Sequence, residues 1–222
     1  RRNERYGRSK IARPDGPLVW FHAASVGETT AVVPLINEVR RRGIAVVLTT
    51  GTVTSAGVAR ERLGDNVIHQ YVPLDLKPAV SRFLDHWKPD LAIIAESEIW
   101  PMTILELGSR RTPKVLVNGR LSDRSFARWN KRLSLADALF ENLSHVVAQS
   151  DLDAERFLAL GARPVSVSGN LKVDTTAPPW DAEELDKLKE QVRDRPTWAA
   201  ISTFEGEDEI AAAVHKSLAP RH

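Results

Sequence analysis

Five short polar segments, each placed directly after an apolar run, carry the residue types that acid–base and anion-binding chemistry require. The first is His22-Ala23-Ala24-Ser25-Val26-Gly27-Glu28. Its small residues let backbone N–H groups approach a ligand, and Glu28 would stand at the mouth of a sheet. The same Ser25-x-x-Glu28 spacing also fits a capping box at a helix start. The second is Glu96-Ser97-Glu98-Ile99-Trp100-Pro101, in which carboxylates two residues apart behind a buried strand can raise a pKa or orient another acid. They fit equally as caps of a helix with Pro101 in its first turn. The third is Asn118-Gly119-Arg120-Leu121-Ser122-Asp123-Arg124-Ser125, whose two arginines suit bidentate binding of phosphate or carboxylate or simply form a solvated loop. Gly169-Asn170-Leu171-Lys172-Val173-Asp174 is the fourth, again at a strand end. The fifth, Ser202-Thr203-Phe204-Glu205-Gly206-Glu207, offers hydroxyls and amides at a helix start to an anion, or a second capping box from Ser202 to Glu205.

Other chemistries find no residues. No Gly-x-Gly-x-x-Gly follows the first apolar run and no Walker loop occurs. The six histidines include no His-x-x-x-His pair, so no metal is indicated, and His22 alone reads as a packed strand residue. Zero cysteines remove disulfides, thiolate metal sites and thiol nucleophiles, which fits a reducing compartment. No apolar stretch reaches the roughly 18 residues of a membrane span. The net charge of +2 is uneven: six basic residues against Glu4 give the first thirteen positions +5 and leave the rest at −3. Without interleaved aromatics or a DNA-binding motif, that end reads as a solvated tail first, an anionic membrane surface second, and not as a nucleic-acid site.

The elements that must position these segments follow from periodicity. Seven apolar runs, at Leu18 to Phe21, Ile44 to Leu48, Val67 to Val72, Leu91 to Ala95, Val115 to Val117, Val146 to Ala148 and Val165 to Val167, alternate with helix-length stretches. Val32, Leu35, Ile36 and Val39 share one helical face ended by Gly43, and Val53 to Leu63 and Val80 to Trp87 read as further helices. Alternation of this kind predicts an α/β fold with a parallel sheet covered on both faces. Pro178 and Pro179 interrupt it, making Leu171 to Asp181 the predicted linker. Beyond it, a helix over Glu183 to Arg193, a strand over Trp198 to Ile201 and a helix over Glu207 to Leu218 are predicted. In such sheets ligands collect where strands end, which is where all five segments fall.

Taken in order, the segments resemble the lipid A Kdo transferase family. The match runs through the His22 to Glu28 segment, Glu96 to Pro101, Asn118 to Ser125 and Gly169 to Asp174, with one departure, Phe204 where the family has histidine. The resemblance implies a GT-B fold: a basic N-terminal segment (1–15), a Rossmann-like acceptor domain (16–174), and a linker with the truncated start of a donor-binding α/β domain (175–222). The family's hydrophobic anchor does not occur, Pro220-Arg221-His222 resembles the opening of a further motif, and the chain is therefore expected to be an internal fragment, inactive alone. The implied reaction is inverting and metal-independent, moving Kdo from CMP-Kdo to a lipid A precursor at the cytoplasmic face of the bacterial inner membrane, with no cofactor. Glu28 matches the general base, and Glu96 or Glu98, Glu96 by preference, would position it or raise its pKa. Ser25, Gly27, Arg120, Ser122, Arg124, Asn170, Lys172, Ser202 and Thr203 are the expected substrate-binding residues, the two arginines toward acceptor phosphates and the last two toward CMP. Another GT-B nucleotide-sugar transferase, or a lipid- or phosphate-binding module without chemistry, would carry the same sheet and strand-end residues.

Overall fold

The computed structural model of the chain describes residues 1–175 and 180–219, and the polypeptide divides into two compact units, Arg1–Thr175 and Thr176–His222. In the first unit the seven predicted runs are all strands: β1 (Leu18–Ala23), β2 (Ala45–Thr50), β3 (Ile68–Tyr71), β4 (Leu91–Ala95), β5 (Lys114–Gly119), β6 (His145–Ala148) and β7 (Val165–Val167). They form one sheet in the order β3-β2-β1-β4-β5-β6-β7, and every pairing is parallel. The crossover helices are α1 (Val26–Arg41), α2 (Val53–Leu63), α3 (Lys77–Trp87), α4 (Pro101–Ser109), α5 (Asp123–Asn130), α6 (Leu133–Phe140) and α7 (Asp151–Ala159).

Strand alternation decides which helix each residue meets. Val19, Phe21 and Ala23 of β1 pack with Val32 and Ile36 of α1 and with Ala59 and Leu63 of α2. Leu18 and Trp20 point the other way and meet Val80, Phe83, Leu84 and Trp87 of α3. A third cluster joins Ile94, Leu116 and Val146 to Ile104 of α4, Phe140 of α6 and Phe157 of α7. Both faces are therefore dry, as an all-parallel sheet requires, and each fully buried large side chain contributes about 2 kcal/mol. The two buried indoles keep their N–H groups satisfied, Trp20 donating to Thr49 Oγ1 and Trp87 to Gln70 Oε1, each at 2.9 Å.

Three expectations are corrected. The basic N-terminus is no solvated tail: a 3-10 turn at Arg2–Tyr6 docks on β3 and α3. Arg1 donates to the His69 carbonyl, Arg5 to those of Gly51 and Val72, and Arg13 to that of Trp87. Glu4 accepts from Tyr71 N–H at 2.8 Å. These guanidinium groups satisfy strand-end and helix-end carbonyls that no helix or sheet neighbour reaches. The predicted strand at Trp198 to Ile201 is absent, since parallel pairing needs a second strand and the described residues of the second unit supply none. Trp198 and Ile201 stand exposed there. Among its described residues that unit has two helices, α8 (Ala182–Val192) and α9 (Glu207–Leu218). The Ser202–Glu205 capping box is also absent: Gly206 is the N-cap of α9, and it is Glu207 that takes the Phe204 N–H, at 2.9 Å. Of the predicted linker, Leu171–Asp174 is a 3-10 turn belonging to the first unit. Pro178, Pro179 and the Pro220-Arg221-His222 match lie outside the described residues.

Gly7 makes the docking possible, because at φ +75° an added Cβ would stand 1.9 Å from the Ala79 carbonyl oxygen. Gly16 has a similar φ of +79° but nothing within 4 Å. Gly7→Ala should thus lower the unfolding free energy by about 3 kcal/mol or more, whereas Gly16→Ala should cost about 1 kcal/mol. Urea titration of the two variants checks the difference.

Candidate active site at the sheet switch point

The sheet order reverses between β1 and β4, so their following segments leave toward opposite faces, and the strand ends lie open between them. Glu28 sits on the β1 side, in the first turn of α1. The N-cap is Ser25, in extended conformation at φ −106°, and its Oγ accepts the Glu28 N–H at 3.2 Å. Glu28 returns the contact, taking the Ser25 hydroxyl on Oε1 and the Ala24 N–H on Oε2, both at 2.8 Å. The capping box is thus real, and it holds the carboxylate in one place. Glu28 is only 8% exposed. Burial raises its pKa above the ordinary carboxylate value against the two hydrogen bonds, and the negative charges of Glu98 and Glu96 add to the rise.

On the β4 side, neither glutamate caps a helix. The N-terminus of α4 has Pro101 at its first position and is capped by Asp75 from the β3–α3 connection, which accepts from Met102 N–H at 3.0 Å and from Thr103 N–H and Oγ1 at 2.8 Å. This leaves the Glu96 to Trp100 loop free to turn its carboxylates toward α1. Glu96 has a left-handed φ of +53°, and its N–H continues the ladder to the Val117 carbonyl at 2.9 Å. Its Oε1 lies 2.8 Å from Lys172 Nζ. The direction of that ion pair falls outside hydrogen-bond geometry, so Oε1 has no hydrogen-bond partner. Glu98 accepts the Trp100 indole N–H at 2.7 Å and faces His22 Nε2 at 3.9 Å. The imidazole, with the indole, holds Glu98 below the ordinary carboxylate range despite partial burial; at 3.9 Å the His22 contact is longer than a hydrogen bond.

Asn118 closes the third side. Completely buried at the end of β5, with φ +54°, it accepts Leu171 N–H on Oδ1 at 2.9 Å and so pins the turn that carries Lys172. Asn170 caps that same turn through Lys172 N–H. Lys172 then reaches Glu96, and its Nζ would lie 3.8 Å from a Cβ on Gly27. Among the described residues, the buried side-chain atoms without a hydrogen-bond partner are His22 Nε2, Glu96 Oε1 and Asn118 Nδ2. They come from β1, β4 and β5, which are neighbours in the sheet. Each such atom costs about 1–3 kcal/mol, and the concentration of that cost at one set of strand ends marks the place where a polar ligand would be received.

The structure thus brings together Ser25, Gly27, Glu28, Glu96, Glu98 and Lys172. Arg120 and Ser122 are exposed on the β5–α5 connection and Arg124 in the first turn of α5; the connection is fixed by Leu121 N–H on buried Asp153 at 2.9 Å. Ser122 is there the cap of α5, accepting from Ser125 N–H at 3.3 Å. Ser202 and Thr203 lie in the second unit, exposed, with Phe204 likewise exposed beside them. His22, read from the sequence as a packed strand residue, and Asn118, the first residue of the third segment, were assigned no role in the site, and Asp75 was not singled out. The histidine and the asparagine are each the last residue but one of a strand, a position the sequence shows, but their partners are distant; the Asp75 contact likewise spans 27 residues and has no local signal. No group of three or more His, Asp or Glu side chains that could hold a metal converges among the described residues.

Comparison with known proteins adds a family. The family model described as 3-deoxy-D-manno-octulosonic-acid transferase (kdotransferase) matches residues 1–175. The chain is 37% identical over 229 residues to a probable mitochondrial 3-deoxy-D-manno-octulosonic acid transferase of Arabidopsis thaliana, a match covering 99% of this chain and 51% of that protein. It is 34% identical to the 3-deoxy-D-manno-octulosonic acid transferase of Haemophilus influenzae, covering 98% of this chain and 52% of the relative. The chain therefore spans about half the length of these relatives. Among solved structures, a putative UDP-N-acetylglucosamine 2-epimerase of Listeria monocytogenes superposes with a TM-score of 0.57 at 15% identity, covering 79% of this chain and 52% of that one. The enzyme of Neisseria meningitidis bound to UDP-GlcNAc gives 0.53 at 15% identity, covering 87% and 53%. At that identity the likeness is one of fold, and it agrees with the expected GT-B-type sheet.

The raised pKa of Glu28 has a thermodynamic sign. The folded state binds this proton more tightly than the unfolded chain, so ionising Glu28 erodes stability as pH rises from the unfolded value through the folded one. Glu28→Gln cannot ionise. Its unfolding free energy relative to wild type should therefore increase from about pH 4 upward and level off above the raised value. Urea unfolding at pH 4 and 7 checks this; the opposite slope would mean that the two capping bonds outweigh burial.

Proposed function

Since the chain belongs to the 3-deoxy-D-manno-octulosonic acid (Kdo) transferase family, we propose that it carries the acceptor side of an inverting glycosyl transfer in lipopolysaccharide synthesis, with Glu28 as general base. The observation that carries this reading is a single buried carboxylate, immobilised by Ala24 and Ser25 and raised in pKa, at the open strand ends. A base needs a fixed position and a proton affinity nearer the working pH than a free carboxylate has. Glu28 has both.

In the proposed reaction a hydroxyl of a lipid A precursor attacks the anomeric carbon of Kdo in CMP-Kdo. Its proton passes to Glu28 as the new C–O bond forms. The bond from the anomeric carbon to the CMP phosphate oxygen breaks on the opposite face, CMP keeps the electron pair, and the configuration inverts. Glu96 is held by Lys172, Glu98 by Trp100, and both carboxylates maintain the charge that keeps the Glu28 proton affinity high. Arg120 and Arg124, exposed at a strand end, suit acceptor phosphates, with Ser122 beside them and Ser25, Gly27, Asn170 and Lys172 closer to the reacting centre. Ser202 and Thr203 are the proposed contacts to CMP. With that acceptor, the proposed place of action is the cytoplasmic face of the bacterial inner membrane. Of the basic N-terminal residues, Arg2, Arg8 and Lys10 are exposed for an anionic leaflet, at about 1 kcal/mol each.

Two outcomes are expected. In the full-length protein Glu28→Gln should fold and bind CMP-Kdo but lose about 10³-fold or more in kcat, and product formation from CMP-Kdo in competition with other nucleotide sugars should single out that donor. Near-native turnover of the variant would remove Glu28 from the role. Joint replacement of Arg2, Arg8 and Lys10 by serine should weaken sedimentation with anionic liposomes without changing the melting temperature; unchanged binding would remove the N-terminal face from membrane contact.

A further inference from the structure

We propose that His22 is a positioning residue: a proton held between its Nε2 and Glu98 Oε2 fixes Glu98, and with it the Glu96 to Trp100 loop, beside Glu28. The argument starts from the other ring nitrogen. His22 Nδ1 lies 3.2 Å from the Thr49 carbonyl oxygen, which can only accept, and 3.0 Å from Thr49 Oγ1. That hydroxyl already accepts the Trp20 indole N–H at 2.9 Å and has the Phe21 carbonyl at 3.4 Å for its own proton. Nδ1 is therefore the protonated nitrogen, and the ring is locked in one orientation by β2.

Nε2 is then left as a bare lone pair, on a residue 3% exposed, with no hydrogen-bond partner. What it faces is Glu98 Oε2 at 3.9 Å. Two lone pairs aimed at each other repel, the more so with His22 only 3% exposed, whereas one proton between them makes a charge-assisted bond. A closure of about 1 Å brings the pair to hydrogen-bond length. Between its anchors, Glu96 N–H on Val117 and Asp75 on α4, the loop is tied by a long bond of 3.4 Å from Glu98 N–H to the Ala95 carbonyl and by the local Ile99 N–H to Ser97 turn, and the Glu98 side chain can close that distance by rotating above a fixed backbone. The charged groups around the pair are Glu98 itself, Glu28 from α1, Glu96, and Lys172 on Glu96. From the sheet and α3 come Thr49, Trp20 and Phe83, none of which titrates in this range.

The consequence for catalysis rests on the reading of Glu28 as the base. Of the pair, it is the Glu98 charge that raises the proton affinity of Glu28; without His22 the partly buried Glu98 takes up a proton more readily, and that charge is lost. In the full-length enzyme His22→Leu should move the acidic limb of the kcat/KM profile to lower pH by about half a unit or more. Glu98→Gln should do the same, and His22→Gln, whose amide N–H can still reach Glu98, should restore the wild-type limb. An unmoved limb in both His22→Leu and Glu98→Gln, or a His22→Gln profile as shifted as that of His22→Leu, overturns the proposal.

A second readout does not depend on turnover. With ring-15N histidine, wild-type His22 should show protons on both nitrogens at pH 7, and Glu98→Gln should show Nε2 without one. A bare Nε2 in the wild type, or no change on replacing Glu98, overturns the proposal whether or not Glu28 is the base. Conversely, a Glu28→Gln enzyme with full turnover and a protonated Nε2 would retire the base and leave the His22–Glu98 pair standing.

Discussion

An all-parallel sheet whose order reverses once has one place where its connections diverge, and here that place lies between β1 and β4. Everything at the site depends on this divergence. Connections on one side run to α1 and α2 and on the other to α3 and α4, so nothing from the sheet itself covers the ends of β1, β4 and β5. Polar side chains there escape the core without reaching bulk water. His22 and Asn118 are buried within the strands, Glu28 is nearly so just beyond them and Glu98 is partly buried, so that burial weighs on the titration of both glutamates.

The first turn of α1 shows how one residue can serve stability and chemistry through the same contacts. A helix start leaves N–H groups unsatisfied, and Glu28 takes one from Ala24 while exchanging bonds with Ser25. Those bonds favour the ionised form; burial and the two neighbouring glutamates favour the protonated one, and burial wins. The balance leaves a carboxylate that is rigid without being acidified.

Much of this was legible in the sequence because it is local. Each of the seven strands is a short apolar run, and Ser25 and Glu28, or Gly169 to Asp174, sit at spacings that a reader can assign to a strand end. What could not be read is what depends on distant partners. The basic N-terminus looks like a tail until the carbonyls of Gly51, His69, Val72 and Trp87 are seen to lie under it. Glu96 and Glu98 look like caps until Asp75 is found occupying that role. The Trp198 to Ile201 run has strand composition, but composition does not provide a neighbour to pair with. His22 was undervalued for a related reason: nothing local distinguishes a packed imidazole from one held by Thr49 and turned to a carboxylate.

The Asp75 cap bears on how this protein can be altered. Residues 73–76 form a surface connection with Leu74 and Leu76 well exposed, the kind of stretch normally chosen for an inserted tag, a reporter or a change of loop length. Yet this connection reaches across to α4 and sets where that helix begins, and the helix start in turn ends the loop bearing Glu96 and Glu98. Lengthening it by even one residue would alter carboxylate spacing three elements away. Engineering sites in this unit are better sought at Gly16, where an added side chain meets nothing within 4 Å.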